Sequence, residues 1–63
     1  MDVHKLSIVD PKAKIGKNVT ISPFAIISGD VVIGDDCWIG PFASILDGTR
    51  MGNNCKIFQG AIV

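Results

Sequence analysis

The sequence predicts an all-β parallel solenoid, a β-helix wound as triangular coils of eighteen residues, and three observations carry that prediction. Every sixth residue from Val3 is aliphatic: Val3, Val9, Ile15, Ile21, Ile27, Ile33, Ile39, Ile45, Met51, Ile57 and Val63. The position four residues after each is small or short: Ser7, Ala13, Val19, Ala25, Val31, Cys37, Ala43, Thr49, Cys55 and Ala61. All seven glycines and all three prolines fall in the first three places after an aliphatic. A helix repeats every 3.6 residues or so, and would walk a six-residue row around its cylinder. An antiparallel meander asks for longer strands and a turn signal every eight to twelve residues or so. Three six-residue sides instead close a triangle, and successive triangles stack as parallel strands about 4.8 Å apart.

Each hexad reads as a corner followed by a short strand. Gly, Pro, Asn and Asp tolerate or impose the turn dihedrals of the corners. The strands are apolar or β-branched and alternate in, out, in. In the first coil, His4-Lys5-Leu6 leads into Ser7-Ile8-Val9, Asp10-Pro11-Lys12 into Ala13-Lys14-Ile15, and Gly16-Lys17-Asn18 into Val19-Thr20-Ile21. In the second, Ser22-Pro23-Phe24 precedes Ala25-Ile26-Ile27, Ser28-Gly29-Asp30 precedes Val31-Val32-Ile33, and Gly34-Asp35-Asp36 precedes Cys37-Trp38-Ile39. The third repeats this with Gly40-Pro41-Phe42 and Ala43-Ser44-Ile45, Leu46-Asp47-Gly48 and Thr49-Arg50-Met51, Gly52-Asn53-Asn54 and Cys55-Lys56-Ile57. Phe58-Gln59-Gly60 then turns towards Ala61-Ile62-Val63. Just over three coils result, a prism about 16 Å tall. Its last strand is expected to leave an unpaired edge near Ile57–Val63, and Val63 opens a new hexad. Residues 1–63 are therefore expected to form one truncated β-helix domain.

A chain of sixty-three residues buries little surface and calls for a disulfide framework, a metal or a partner. Two cysteines make no framework, and no Cys/His cluster has zinc spacing, so no metal or cofactor is expected. Partner surface is left. Six basic and six acidic residues cancel, which gives no electrostatic footprint for nucleic acid. The apolar runs are far too short for a membrane span. Met1-Asp2-Val3-His4-Lys5 lacks the basic and then apolar start of a signal peptide, and a reducing, cytoplasmic setting is expected.

Residues eighteen apart share an edge of the prism. One corner stacks Leu6, Phe24 and Phe42 beside Phe58, and the strand after it points Ile8, Ile26, Ser44 and Ile62 outward. The corner holding Asp10, Ser28 and Leu46 is mostly polar, and the one holding Gly16, Gly34 and Gly52 wholly so. A contiguous apolar ridge on the outside of a repeat protein marks an interface. Leu6, Ile8, Phe24, Ile26, Phe42, Phe58 and Ile62 are accordingly predicted to pack against sister subunits about a threefold axis.

Candidate chemistry is sparse, and no catalytic or substrate-binding residue is expected. Cys37 and Cys55 lie one coil apart and face inward, as buried thiols acting as small hydrophobes. His4, the one histidine, sits at a corner without a partner in the pattern. Asp35-Asp36 is explained by turn chemistry, and Trp38 points outward between Thr20 and Lys56. Gly34 and Gly40 belong to the repeat, because no helix follows them to complete a phosphate loop.

Residues 9–63 resemble the bacterial hexapeptide transferases, and that resemblance implies a left-handed coil and a homotrimer. Within that superfamily, Ala13 to Ala25 and Gly48 to Ala61 are similar to the opening coils of the acyl-carrier-protein–UDP-N-acetylglucosamine O-acyltransferases. Val3-His4-Lys5-Leu6-Ser7-Ile8-Val9 is similar to that family's start, with Lys5 where a proline is usual. Lys56-Ile57-Phe58-Gln59-Gly60-Ala61 is the most specific stretch. The resemblance implies transfer of a 3-hydroxyacyl group from acyl carrier protein to the glucosamine 3-hydroxyl of UDP-N-acetylglucosamine, the first step of lipid A biosynthesis. It also implies a histidine base on a later coil, between subunits, and a helical C-terminal domain, all beyond Val63, so that this chain alone is expected to be inactive. Two other readings stay open: another hexapeptide acyl- or acetyltransferase, or a trimerising prism with no enzymatic role.

Overall fold

The structure is a computed structural model that describes residues 2–63. Ten strands of two residues each follow in order: β1 (Asp2–Val3), β2 (Ile8–Val9), β3 (Lys14–Ile15), β4 (Thr20–Ile21), β5 (Ile26–Ile27), β6 (Val32–Ile33), β7 (Trp38–Ile39), β8 (Ser44–Ile45), β9 (Arg50–Met51) and β10 (Lys56–Ile57). Every pairing is parallel and joins residues eighteen apart, as the repeat demands. One sheet runs β1-β4-β7-β10, the second β2-β5-β8 and the third β3-β6-β9. Ser44 adds a bridge to Ile62, which extends the second sheet by one residue pair. The three sheets are the sides of a left-handed parallel β-helix. Most parallel crossovers take the opposite hand.

The expected three-residue strands are shortened to two, and at the corners before β2, β3, β5, β8 and β9 the hydrogen bonds show why. Where the corner closes on itself, the small residue that would open the strand gives its N–H back to that corner: Ala13 to the Asp10 carbonyl (3.0 Å), Ala25 to Ser22 (3.3 Å), Ala43 to Gly40 (3.3 Å) and Ala61 to Phe58 (3.2 Å). Its carbonyl still joins the ladder. Ile8 N–H donates to the Ala25 carbonyl and Ile26 N–H to that of Ala43, both at 2.9 Å. The residue thus serves the turn with one group and the sheet with the other.

The core is the predicted pair of rows, closed in its middle and open at its ends. Val19, Ile21, Ala25, Ile27, Val31, Ile33, Cys37, Ile39, Ala43 and Ile45 are buried, in alternation of large aliphatic and small residue along the chain. Each isoleucine so buried contributes about 1.5–3 kcal/mol relative to exposure. Val9, Ala13, Ile15, Met51, Cys55 and Ile57 are partly buried and pack against this cluster from the two ends, while Val3 and Val63 are exposed. No polar or charged residue is buried among the described residues.

The corner holding Gly16, Gly34 and Gly52 shows how one coil seats on the next. Lys17 N–H donates to Asp35 Oδ1 (2.8 Å), and Asp35 N–H donates to Asn53 Oδ1 (2.7 Å). Bonds also run the other way, from Asp36 N–H to the Lys17 carbonyl and from Asn54 N–H to the Asp35 carbonyl, both 2.8 Å. These backbone groups lie on the surface, yet each finds a partner one coil away. The result is a polar seam that holds register without buried charge.

Candidate functional site

The predicted edge is exposed. Leu6, Ile8, Phe24, Ile26, Phe42, Phe58 and Ile62 all stand on the surface, from 44 % accessible at Ile26 to 74 % at Ile62. The second sheet sets Ile8 beside Ile26 and Ile26 beside Ser44, with Ile62 beyond, so its outer face carries three isoleucines around one serine. The corner before it stacks Phe24 on Phe42, with ring centroids 5.1 Å apart and planes inclined by 16°. Phe58 stands one column aside, in line with Gly40. A Cβ at Gly40 would lie 2.9 Å from the Ile57 carbonyl oxygen and the Gln59 nitrogen, so the backbone of the Phe58 corner packs directly beneath that glycine.

Two features of this surface go beyond the sequence reading. Phe24 and Phe42 have φ of +65° and +61°, in the left-handed region that bulky side chains avoid. The pattern could have exposed this: both phenylalanines occupy the hexad place held by Asn18, Asp36 and Asn54 at the polar corner, and those three are left-handed as well. Leu46 is also exposed (48 %), on the far side of the same sheet, at the corner expected to be mostly polar. Its single apolar residue carried no period-eighteen signal, since Asp10 and Ser28 precede it in its column.

The groups capable of chemistry lie apart. Cys37 is buried (2 %), and its thiol donates to the Gly52 carbonyl at 3.2 Å; Cys55 is half-buried, and both are free thiols. Exposed His4 accepts the Leu6 N–H at Nδ1 (3.1 Å). Ser22 and Thr20 share an open depression with it. Asp35 is occupied as the acceptor of the corner seam. Trp38 lies half-buried between Thr20 and Lys56, as expected. On the third sheet Arg50 donates to Asp30 Oδ1 (2.7 Å) and to the Asp30 carbonyl (2.9 Å), an exposed pair of small energetic weight. Among the described residues no group of three or more His, Cys, Asp or Glu side chains could hold a metal ion. No helix among them is long and apolar enough to cross a membrane.

Three comparisons bear on this arrangement. A family model for the bacterial transferase hexapeptide (six repeats) matches residues 30–63. A comparison with curated protein sequences finds no match. Among solved structures, UDP-N-acetylglucosamine acyltransferase from Campylobacter jejuni superposes on 98% of this chain with a TM-score of 0.96 and 32% sequence identity. This chain covers 25% of that enzyme's length. The Arabidopsis UDP-N-acetylglucosamine acyltransferase aligns over 97% of this chain and 29% of its own, with a TM-score of 0.58 and 23% identity, a likeness of fold alone.

Proposed function

The chain belongs to the bacterial transferase hexapeptide family, and from that membership we propose that it supplies the N-terminal scaffold coils of an acyltransferase. The reaction is transfer of a 3-hydroxyacyl group from acyl carrier protein to the glucosamine 3-hydroxyl of UDP-N-acetylglucosamine, as the first step of lipid A biosynthesis in the cytoplasm. What supports this reading is the overlay of nearly the whole chain on the Campylobacter jejuni enzyme at 32% identity. Attack by a sugar hydroxyl on a thioester needs a base to take its proton and donors to steady the oxyanion. His4 Nδ1 accepts the Leu6 N–H, and Asp10, Asp35 and Asp47 accept backbone N–H groups of the corners. The base, a histidine, is assigned to a later coil of the longer protein, and the share of these residues is to build the prism and join subunits. The apolar corner and the face of the second sheet make the contact of a homotrimer.

Grafting tests the reading. Residues 2–63 replace the matching coils of the Campylobacter jejuni acyltransferase, and transfer from a 3-hydroxyacyl carrier protein to UDP-N-acetylglucosamine is assayed. An active chimera is expected, together with no activity from the 63-residue chain by itself. A folded, trimeric chimera without activity would remove the acyltransferase assignment. It would favour another hexapeptide transferase, or a trimerising prism, the reading to which the scarcity of chemical groups on this chain points.

A further inference from the structure

Seven described residues hold left-handed backbones: Asn18, Phe24, Asp36, Phe42, Gly48, Asn54 and Gly60. All occupy the third place after a core aliphatic. Five are Asn, Asp or Gly, for which that region costs least. The two phenylalanines break the rule, and the bonds from their N–H groups to the coil before are the longest of the set. Phe24 N–H reaches the Leu6 carbonyl at 3.3 Å and Phe42 N–H that of Pro23 at 3.4 Å, against 3.1 Å for Gly60 at the same corner, 2.8 Å for Asp36 and Asn54 and 2.7 Å for Gly48. The rings do not recover the cost by burial, for they remain 51 % and 65 % accessible. Within the chain their gain is the stack they make with each other.

A costly backbone bearing an exposed side chain points to work done outside the chain. We infer that Phe24 and Phe42 are the anchor residues of the contact between copies of this chain, kept in place of Asn or Gly for the aromatic surface they present. The inference rests on the self-association proposed above and assigns which residues carry it. The occupant is argued from the spacing. The stacked rings sit on successive coils, and beside them the second sheet presents Ile8, Ile26 and Ile62 at coil spacing with Ser44 among them. A second copy rotated about an axis parallel to the prism meets them with the same repeat at the same height. The rings and the isoleucines beside them carry no charge, so the facing surface needs none.

The test is the double substitution Phe24→Asn and Phe42→Asn, which gives both corners the residue type that Asn18 and Asn54 already use. Sedimentation over a concentration series reads the association, and far-UV circular dichroism on dilute samples reads the fold. The variant is expected to stay folded, to melt no lower than the dissociated wild-type chain, and to raise the dissociation constant about a hundredfold or more. An unchanged dissociation constant would overturn the assignment while leaving self-association intact. Loss of the β-helix spectrum would also overturn it, since the rings would then be holding their own chain together. A wild-type chain that is monomeric at every concentration would instead remove the self-association on which the assignment rests.

Discussion

Gly34 and Gly52 occupy the same place on successive coils, yet their surroundings differ. A Cβ on Gly34 would come within 2.5 Å of Asn53 Oδ1 and 2.7 Å of the Gly52 carbonyl, both part of the next coil's corner. A Cβ on Gly52 would meet nothing within 4 Å. Gly34→Ala should therefore cost about 1–3 kcal/mol through forced displacement of backbone, and Gly52→Ala about 0.5 kcal/mol or less. Urea denaturation of the two variants checks this: the midpoint should fall for the first and hold for the second. The contrast was hidden in the sequence, where both residues read as repeat glycines, because what separates them is the layer below. The left-handed phenylalanines were hidden for a related reason. Their place in the hexad was legible, but Phe24 and Phe42 are residue types that a turn reading does not expect at positive φ.

The elements themselves were the most legible part, since a strict period of six admits few alternatives. Register, the inward rows and the three sheets follow from it. Strand length did not, because the period cannot say whether the N–H of Ala25 or Ala43 bonds across coils or back into its own corner. The period also implies equal sides, while burial grades from the middle coil outward. Ile27 is fully enclosed between β2 and β8, whereas Ile57 on β10 is partly open. Ile27→Ala should lose about 2–5 kcal/mol by leaving a cavity that a stacked ladder cannot collapse into. Ile57→Ala should lose distinctly less, since water already reaches that site. Chemical denaturation at matched protein concentration separates the two, and equal losses would mean that the end coil is covered in solution.

As a whole, the molecule measures 21 × 20 × 19 Å, about as tall as it is wide, and its sides are far from alike. The third sheet turns Lys14, Val32 and Arg50 outward, and the second turns out Ile8, Ile26 and Ser44. Placing charge on the second face should therefore act on association and spare the fold. Ile8→Asp with Ile26→Asp is expected to give a chain that sediments as a monomer with an unaltered far-UV spectrum, because both side chains already stand in solvent within one chain. A variant that still assembles would move the contact to another side. The uniform eighteen-residue register has a consequence of another kind, for heredity. Every strand pairing between coils sets a residue beside its equivalent one circuit away. Repeating the segment 22–39 would return Ile39 to Ser22 with each column still in line, whereas a single inserted residue would turn every later side chain out of its column. The gene can thus grow or shrink by whole circuits at little structural risk, and a scaffold of this kind can be fitted to the length its partners require.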